Sequence, residues 1–130
     1  MLSITLATHQ ESVLIDITRQ AQELIDKSGI KKGMCYIYCP HTTAGLLINE
    51  SADQAVADDI CTALDDLAPQ GANWTHLEGN SPAHIKSALV GNSLWVAVEN
   101  GRLLLGRWQG IFFCEFDGPR QRKVWFTVLS

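Results

Sequence analysis

Apolar and polar positions alternate with the two-residue period of strands at both ends of the chain, and with the spacing of helices between them. Ser3–His9 and Ser12–Ile17 are two β-rich runs split by Gln10-Glu11, which reads as a hairpin or a bent edge strand. The spacing then becomes helical: Ile17, Ala21, Leu24 and Ile25 share a face, Thr18 is placed to cap it, and Gly29 stands where a C-cap glycine belongs. Met34–Cys39 is apolar on both faces, so it predicts a strand covered on both sides. Leu46–Ile48 is a short apolar strand. Ser51-Ala52-Asp53-Gln54 matches a Ser-x-x-Gln capping box and opens a helix with Val56, Ile60, Ala63, Leu64 and Leu67 at helical spacing. Asp58, Asp59, Asp65 and Asp66 fall on its solvated side, and it ends at Ala68-Pro69. Gln70–Asn80 shows no periodicity and reads as a polar loop. Ser81-Pro82 then looks like N-cap plus first helical residue of a short helix carrying Ile85, Ala88 and Leu89, stopped by Gly91. The last third is strand: Ser93–Val98, Arg102–Leu105, Gly110–Phe116 and Lys123–Leu129. Turns at Glu99-Asn100-Gly101 and Asp117–Arg120 separate them.

About eight strands and three helices follow from this pattern. Long β runs with late hairpins predict an α+β fold with largely antiparallel, sandwich-like sheets in one domain, residues 1–130. Several strands are apolar on both faces, more than a monomer of 130 residues covers by itself, which predicts an oligomer.

Composition narrows the function classes. A 46% hydrophobic, 18% charged chain is globular rather than disordered. Its net charge of -4 argues against nucleic acid or anionic membrane as a partner, since both need a basic field. There is no apolar run of about 18 residues to span a bilayer, and MLSITLATHQ lacks the basic and long apolar regions of a signal peptide. The cysteines Cys35, Cys39, Cys61 and Cys114 form no C-x-x-C pair and read as reduced, buried thiols of a cytoplasmic protein.

The polar chemistry concentrates in NWTHLEGNSPAH (Asn73–His84) and PHTTAG (Pro40–Gly45). His76 and His84 flank a loop and a helix start, and the positive end of that helix disfavours imidazolium at His84. Neutral imidazoles suit a metal, and the free N–H groups of a helix start suit an anion. If His41 meets them, the three make an open zinc-type site; otherwise His41 and His84 merely bond turn backbone. His9, at a strand end, is incidental. Among the carboxylates beside these turns (Glu50, Asp53, Glu78, Asp117), Glu78 lies between two histidines and is the best placed to orient one or to move a proton. Arg120 and Arg122, two residues apart on a strand, point to one side and suit phosphate. Trp95 and Trp125 fit core or interface positions, whereas Trp74 and Trp108 stand in polar surroundings where they could wall a pocket for a flat ring. No nucleophile elbow, Walker loop or dinucleotide fingerprint is present.

Three ordered runs, HTTAGLLINES (His41–Ser51), HLEGNSPAHIKSALVG (His76–Gly91) and GRLLLGRWQGIFFCEFDGPRQRKV (Gly101–Val124), resemble the YjbQ-like family, also labelled the secondary thiamine-phosphate synthase family, over almost the whole chain. The resemblance implies a homotrimer with its site at the junction between subunits. It also implies a weak thiamine-phosphate synthase activity, a transferase reaction that joins a pyrimidine pyrophosphate to a thiazole phosphate and releases pyrophosphate. Metal-assisted phosphoester chemistry suits the same residue types. Position by position, it carries over His41, His76 and His84 as ligands of a divalent metal, zinc favoured and magnesium the alternative, or of an anion. Asn49, Glu50, Asn80, Gln109 and Arg120 become substrate or phosphate ligands, and Glu78, which stands where many relatives have Asp, joins Asp117 as a catalytic carboxylate. The expected partner is a small phosphorylated molecule. The alternative is a non-catalytic trimer that binds metal or ligand without turnover.

Overall fold

The computed structural model describes all residues, Met1–Ser130. Its elements run β1 (Leu2–Ala7), β2 (Val13–Asp16), α1 (Thr18–Ser28), β3 (Lys32–Tyr38), β4 (Ala44–Glu50), α2 (Gln54–Leu67), α3 (Ser81–Val90), β5 (Ser93–Glu99), β6 (Arg102–Leu103), β7 (Gln109–Glu115) and β8 (Gln121–Leu129). The strands form a five-stranded sheet of order β1-β8-β3-β5-β6 and a three-stranded sheet of order β2-β7-β4. Every pairing is antiparallel, so the α+β architecture expected from the periodicity is the one observed.

Two apolar layers hold it together. The main core lies between the sheets: Cys35, Ile37, Val96, Val98, Val124 and Phe126 of the large sheet meet Leu46, Ile111 and Phe113 of the small one, with Ile17, Ala21 and Ile25 of α1 closing one side. The second lies on the far face of the small sheet, where Ala57 and Leu64 of α2 and Ala83 of α3 cover Leu14, Phe112 and Cys114. Strand β7 is thus buried on both faces, and its consecutive apolar residues Ile111, Phe112, Phe113 and Cys114 are those of a doubly covered strand. On β3, by contrast, only Cys35 and Ile37 enter the core. Tyr36 and Tyr38 face outward, Tyr36 against Trp95 at a tilt with ring centroids 4.7 Å apart and Tyr38 stacked on Trp125 at 5.9 Å. These two tryptophans are 54% and 37% exposed. Within one protomer, then, the outer face of the large sheet is an uncovered aromatic ladder.

Several local expectations are corrected. Of the two N-terminal readings the hairpin is overturned and the bent edge is nearer: β1 and β2 are edge strands of different sheets, paired with β8 and β7, and the chain crosses between them at residues 8–12. Thr18 does not cap α1. Asp16 Oδ1 accepts from Thr18 N–H at 2.9 Å and from its hydroxyl at 2.6 Å, while the Thr18 hydroxyl accepts Ile111 N–H and ties the helix start to β7. Asp53, not Ser51, caps α2 by accepting Ala55 N–H. Asn80 precedes α3, so Ser81 is already helical. Arg102–Leu105 shortens to Arg102–Leu103. Gly29 ends α1 in the left-handed conformation as expected, and Asn100 and Gly101 both have positive φ, the requirement of a two-residue hairpin turn. No disulfide forms among the cysteines, and burial pushes the Cys35 thiol up to about 11. No helix is long and apolar enough to cross a membrane.

Candidate functional site

Strand pairing decides which turns become neighbours. Ala44, the first residue of β4, stands opposite Glu115, the last of β7. The turn before β4 (residues 40–43) and the turn after β7 (residues 117–120) therefore meet at one end of the small sheet. The Ser87 hydroxyl, in the second half of α3, donates to Ala44 O at 2.6 Å and holds that helix against the same end. Asn80 Nδ2 donates to Asp117 Oδ2 at 2.9 Å and ties the 70–80 loop to the later turn.

These contacts enclose an open pocket of about 460 Å³ lined by Pro40, His41, Thr42, Thr43, His76, Glu78, Asn80, His84, Asp117, Arg120 and Arg122. Apart from Pro40, every lining residue is polar or charged. His41, His76 and His84, far apart in the chain, all reach it. The His76 and His84 rings lie edge to face with centroids 5.2 Å apart, and His76 Nε2 is 3.9 Å from Glu78 Oε2. His41 Nε2 lies 2.9 Å from Lys123 N and 3.2 Å from Lys123 O. Unprotonated, it accepts the Lys123 N–H and leaves the ring proton on Nδ1; protonated, it donates to the carbonyl. Burial first, and then the Arg122 guanidinium, lower the His41 pKa below its ordinary value against the opposing pull of the Lys123 carbonyl and Glu115, so the neutral ring prevails at pH 7.

The two arginines take different roles. Arg120, whose side chain is 52% exposed, is aimed by its own turn: Nε donates to Asp117 O and Nη2 to Asp117 Oδ2, each at 2.8 Å. Its Nη1 makes no protein hydrogen bond and is free for a ligand. Arg122, at 4%, is spent internally on Glu115 and on Thr43 Oγ1 and O. Glu115 is fully buried. Burial pushes its carboxyl up, but hydrogen bonds from Arg122, Thr8 and the Asp117 N–H outweigh it and hold it below the usual carboxylate range. Neither Glu115 nor Thr8 stands out in the pattern of the chain as a functional residue. The one signal was an acid inside the apolar run Ile111–Phe116, which must be paired if it is buried.

Other expected residues stay apart. Asn49, Glu50 and Gln109 sit at the opposite end of the small sheet, where Glu50 faces Gln109 and Asn49 faces Gly110; six residues of strand put them about 20 Å from Ala44. There Asn49 Oδ1 accepts Glu50 N–H and Gln109 Oε1 accepts Gly106 N–H. Trp74 and Trp108 wall no part of the pocket: Trp74 Nε1 donates to Pro69 O, and Arg107 covers the Trp108 ring at 4.9 Å. His9 is exposed and also lies outside it.

No group of three or more His, Cys, Asp or Glu side chains stands close enough in this protomer to hold an ion. The pocket also carries the Arg120 guanidinium, which repels a cation and attracts an anion. The lining sets the guanidiniums of Arg120 and Arg122 against the carboxylates of Glu78 and Asp117, with the His76 and His84 rings and Glu78 neighbouring one another.

A family model described as UPF0047 protein YjbQ-like matches residues 2–130. The chain is 50% identical to the UPF0047 protein of Methanocaldococcus jannaschii, over 95% of this chain and 89% of that one. It is 46% identical to the UPF0047 protein YugU of Bacillus subtilis, over 98% of both. The crystal structure of a Clostridium acetobutylicum protein of the YjbQ/UPF0047 family superposes with a TM-score of 0.97 at 47% identity, covering 99% of this chain and all of that one. An Aeropyrum pernix protein, 35% identical, superposes at 0.94, with 98% and 96% of the two chains covered.

Proposed function

We propose, for a chain that belongs to the YjbQ-like UPF0047 family, that the pocket between the 40–43 and 117–120 turns binds the phosphate of a small phosphorylated molecule. The reading rests on one feature: imidazoles from three separate segments and a guanidinium with a free nitrogen face the same polar pocket. Arg120 neutralises and orients the anion, and the imidazoles donate to it. His76, with Glu78 beside it, is the group placed to give a proton to a leaving oxygen or take one from an attacking one. The chemistry that suits this set is transfer or hydrolysis at a phosphoester or pyrophosphate. Thiamine-phosphate synthesis is one such reaction, but it must seat two rings, and this pocket offers no apolar wall to hold them.

The assembly we propose is a homotrimer in the reducing cytoplasm. It would cover the aromatic ladder of Tyr36, Tyr38, Trp95 and Trp125, and also Leu77, which lies between His76 and Glu78 and is 98% exposed. A head-to-tail ring is also the arrangement by which Asn49, Glu50 and Gln109 would reach a neighbour's pocket. The edge-to-face His76–His84 pair with Glu78 favours a second reading, a divalent metal, zinc before magnesium, held by these side chains and polarising the bound phosphate.

Calorimetric titration with inorganic phosphate, then a panel of small phosphorylated compounds, tests the reading. His84→Ala and Arg120→Ala should each weaken phosphate binding about 10- to 100-fold, the range for losing one charge-assisted contact. Binding without turnover of any compound would leave a non-catalytic binding protein; no phosphate binding by wild type would overturn the reading. Metal analysis of the purified protein, before and after zinc addition, decides the second reading.

A further inference from the structure

We propose that Glu115, with Arg122 and Thr8, is a positioning group for this pocket: it meets no ligand but locks the two ligand-bearing turns to each other. The inference rests on the phosphate-binding reading above and adds the part of the fold that sets its strength.

The pocket is built from turns, and turns move unless something ties them. The 117–120 turn carries Arg120 and Asp117, and the 40–43 turn carries His41 and Thr43. Between them lies the Glu115 carboxylate. Its Oε1 accepts the Thr8 hydroxyl at 2.7 Å and Arg122 Nε at 2.8 Å; its Oε2 accepts Arg122 Nη2 at 2.5 Å and Asp117 N–H at 3.0 Å. Arg122 then passes the link to the other turn, with Nη2 2.9 Å from Thr43 Oγ1 and 3.3 Å from Thr43 O. Thr8 closes the circuit: while donating to Glu115, its hydroxyl accepts Arg120 N–H at 2.9 Å. One carboxylate thus fixes the backbone of Asp117 directly, that of Arg120 through Thr8, and Thr43 through Arg122.

The packing leaves little room for another arrangement. A Cβ on Gly118 would stand 2.2 Å from Gln10 O and 2.9 Å from both Glu115 Cγ and Thr8 Oγ1, so the turn lies flat against the 8–11 segment and the carboxylate. The ion pair is sealed, with side chains 0% and 4% exposed, so water does not compete with its hydrogen bonds. Arg122 borders the pocket; its Nε and Nη2 are committed to Glu115 and Thr43, and its Nη1 makes no protein hydrogen bond. Its fork is matched to a carboxylate on one side and a threonine on the other, and a lysine could not reproduce that.

The test uses Thr8, which is 3% exposed and lines no part of the pocket. Thr8→Val keeps the shape and removes the hydroxyl; Thr8→Ser keeps the hydroxyl and removes a methyl. The affinity for inorganic phosphate is measured by calorimetry on the full chain, with folding checked by circular dichroism. Thr8→Val should weaken phosphate about ten-fold and Thr8→Ser should restore at least most of it, because misplacing a binding group by a fraction of an ångström is enough for such a loss. Glu115→Gln, which keeps the volume but replaces one acceptor oxygen with an NH2 donor, is the second variant and should weaken phosphate at least as much, whether or not Thr8→Val folds. If wild type binds phosphate and either Thr8→Val or Glu115→Gln binds it equally well, the positioning role is overturned and the pocket reading stands. If Thr8→Ser is as weak as Thr8→Val, the effect is one of packing and the role is again overturned. If wild type does not bind phosphate, both fall together.

Discussion

Replacing Arg122 with Met leaves the Glu115 carboxylate buried without its counter-charge, and the outcome can be worked from the geometry. Both side chains are sealed, and Arg122 Nε stands 2.8 Å from Glu115 Oε1. Removing one partner of such a pair costs about 3–5 kcal/mol, because the other charge stays desolvated. For a chain of 130 residues that is a fall in Tm of roughly 10–20 °C. The pH dependence identifies the cause. In wild type the Glu115 pKa is held low, so the contribution of the pair is present above the ordinary carboxyl value and is lost as pH falls through the folded value. In the variant the balance reverses. Burial, the largest influence on Glu115, is no longer outweighed, the folded pKa rises above the unfolded one, and the penalty shrinks as pH falls and the carboxyl takes up a proton. Urea denaturation of both proteins at pH 8 and pH 5 should show a larger gap at pH 8, and adding Glu115→Gln should recover most of the loss. A gap below about 1 kcal/mol, or one that does not change with pH, would refute the reasoning.

Phe126→Ala removes a fully buried ring from between the sheets and should cost about 3–5 kcal/mol in chemical denaturation. Ser87→Ala deletes the buried hydroxyl that holds α3 to Ala44 O; about 1–2 kcal/mol of stability and a measurable loss of phosphate affinity should go with it. Trp95→Glu puts a charge in the centre of the aromatic ladder; if wild type forms the proposed trimer, light scattering should show the variant as monomers while circular dichroism stays native, and a variant that remains assembled would remove this face as the interface. Since the His41 pKa is depressed, its neutral form is the one the fold favours, and stability should fall as pH drops through the ordinary imidazole value; His41→Asn should flatten that part of the pH–stability curve.

Periodicity carried the fold well because the chain is built from two kinds of regular burial. The runs of β7 and β8 could only be strands, and the 3.6-residue spacing of α1 and α2 could only be helices. What it could not carry was pairing across the molecule. Residues 3–17 looked like a hairpin because two β runs stood side by side in sequence; the core between the sheets instead drew each to a different partner. The caps failed by one or two residues for a similar reason. The Thr18 hydroxyl is taken up by Asp16 and Ile111 N–H, and Asp53, two residues nearer the helix than Ser51, is the one that reaches the free Ala55 N–H. The pocket was half legible. Histidines in turn segments announced it, and the pairing of Ala44 with Glu115 explains why those segments meet. Asn49, Glu50 and Gln109 shared motifs with the pocket residues but lie at the other end of the same strands, a separation that sequence adjacency hides. Glu115 left a single trace, an acid inside an apolar run, because its importance comes from burial, and burial is a property of the assembled sheets.

The central claim is that His41, His76 and His84 share one anion. Titration with inorganic phosphate, followed through the imidazole resonances of all four histidines, tests it most directly, with exposed His9 as the internal control. The account predicts that the His41, His76 and His84 signals move together with one saturation midpoint while His9 stays still; signals that do not move, or that move no more than His9, would contradict it.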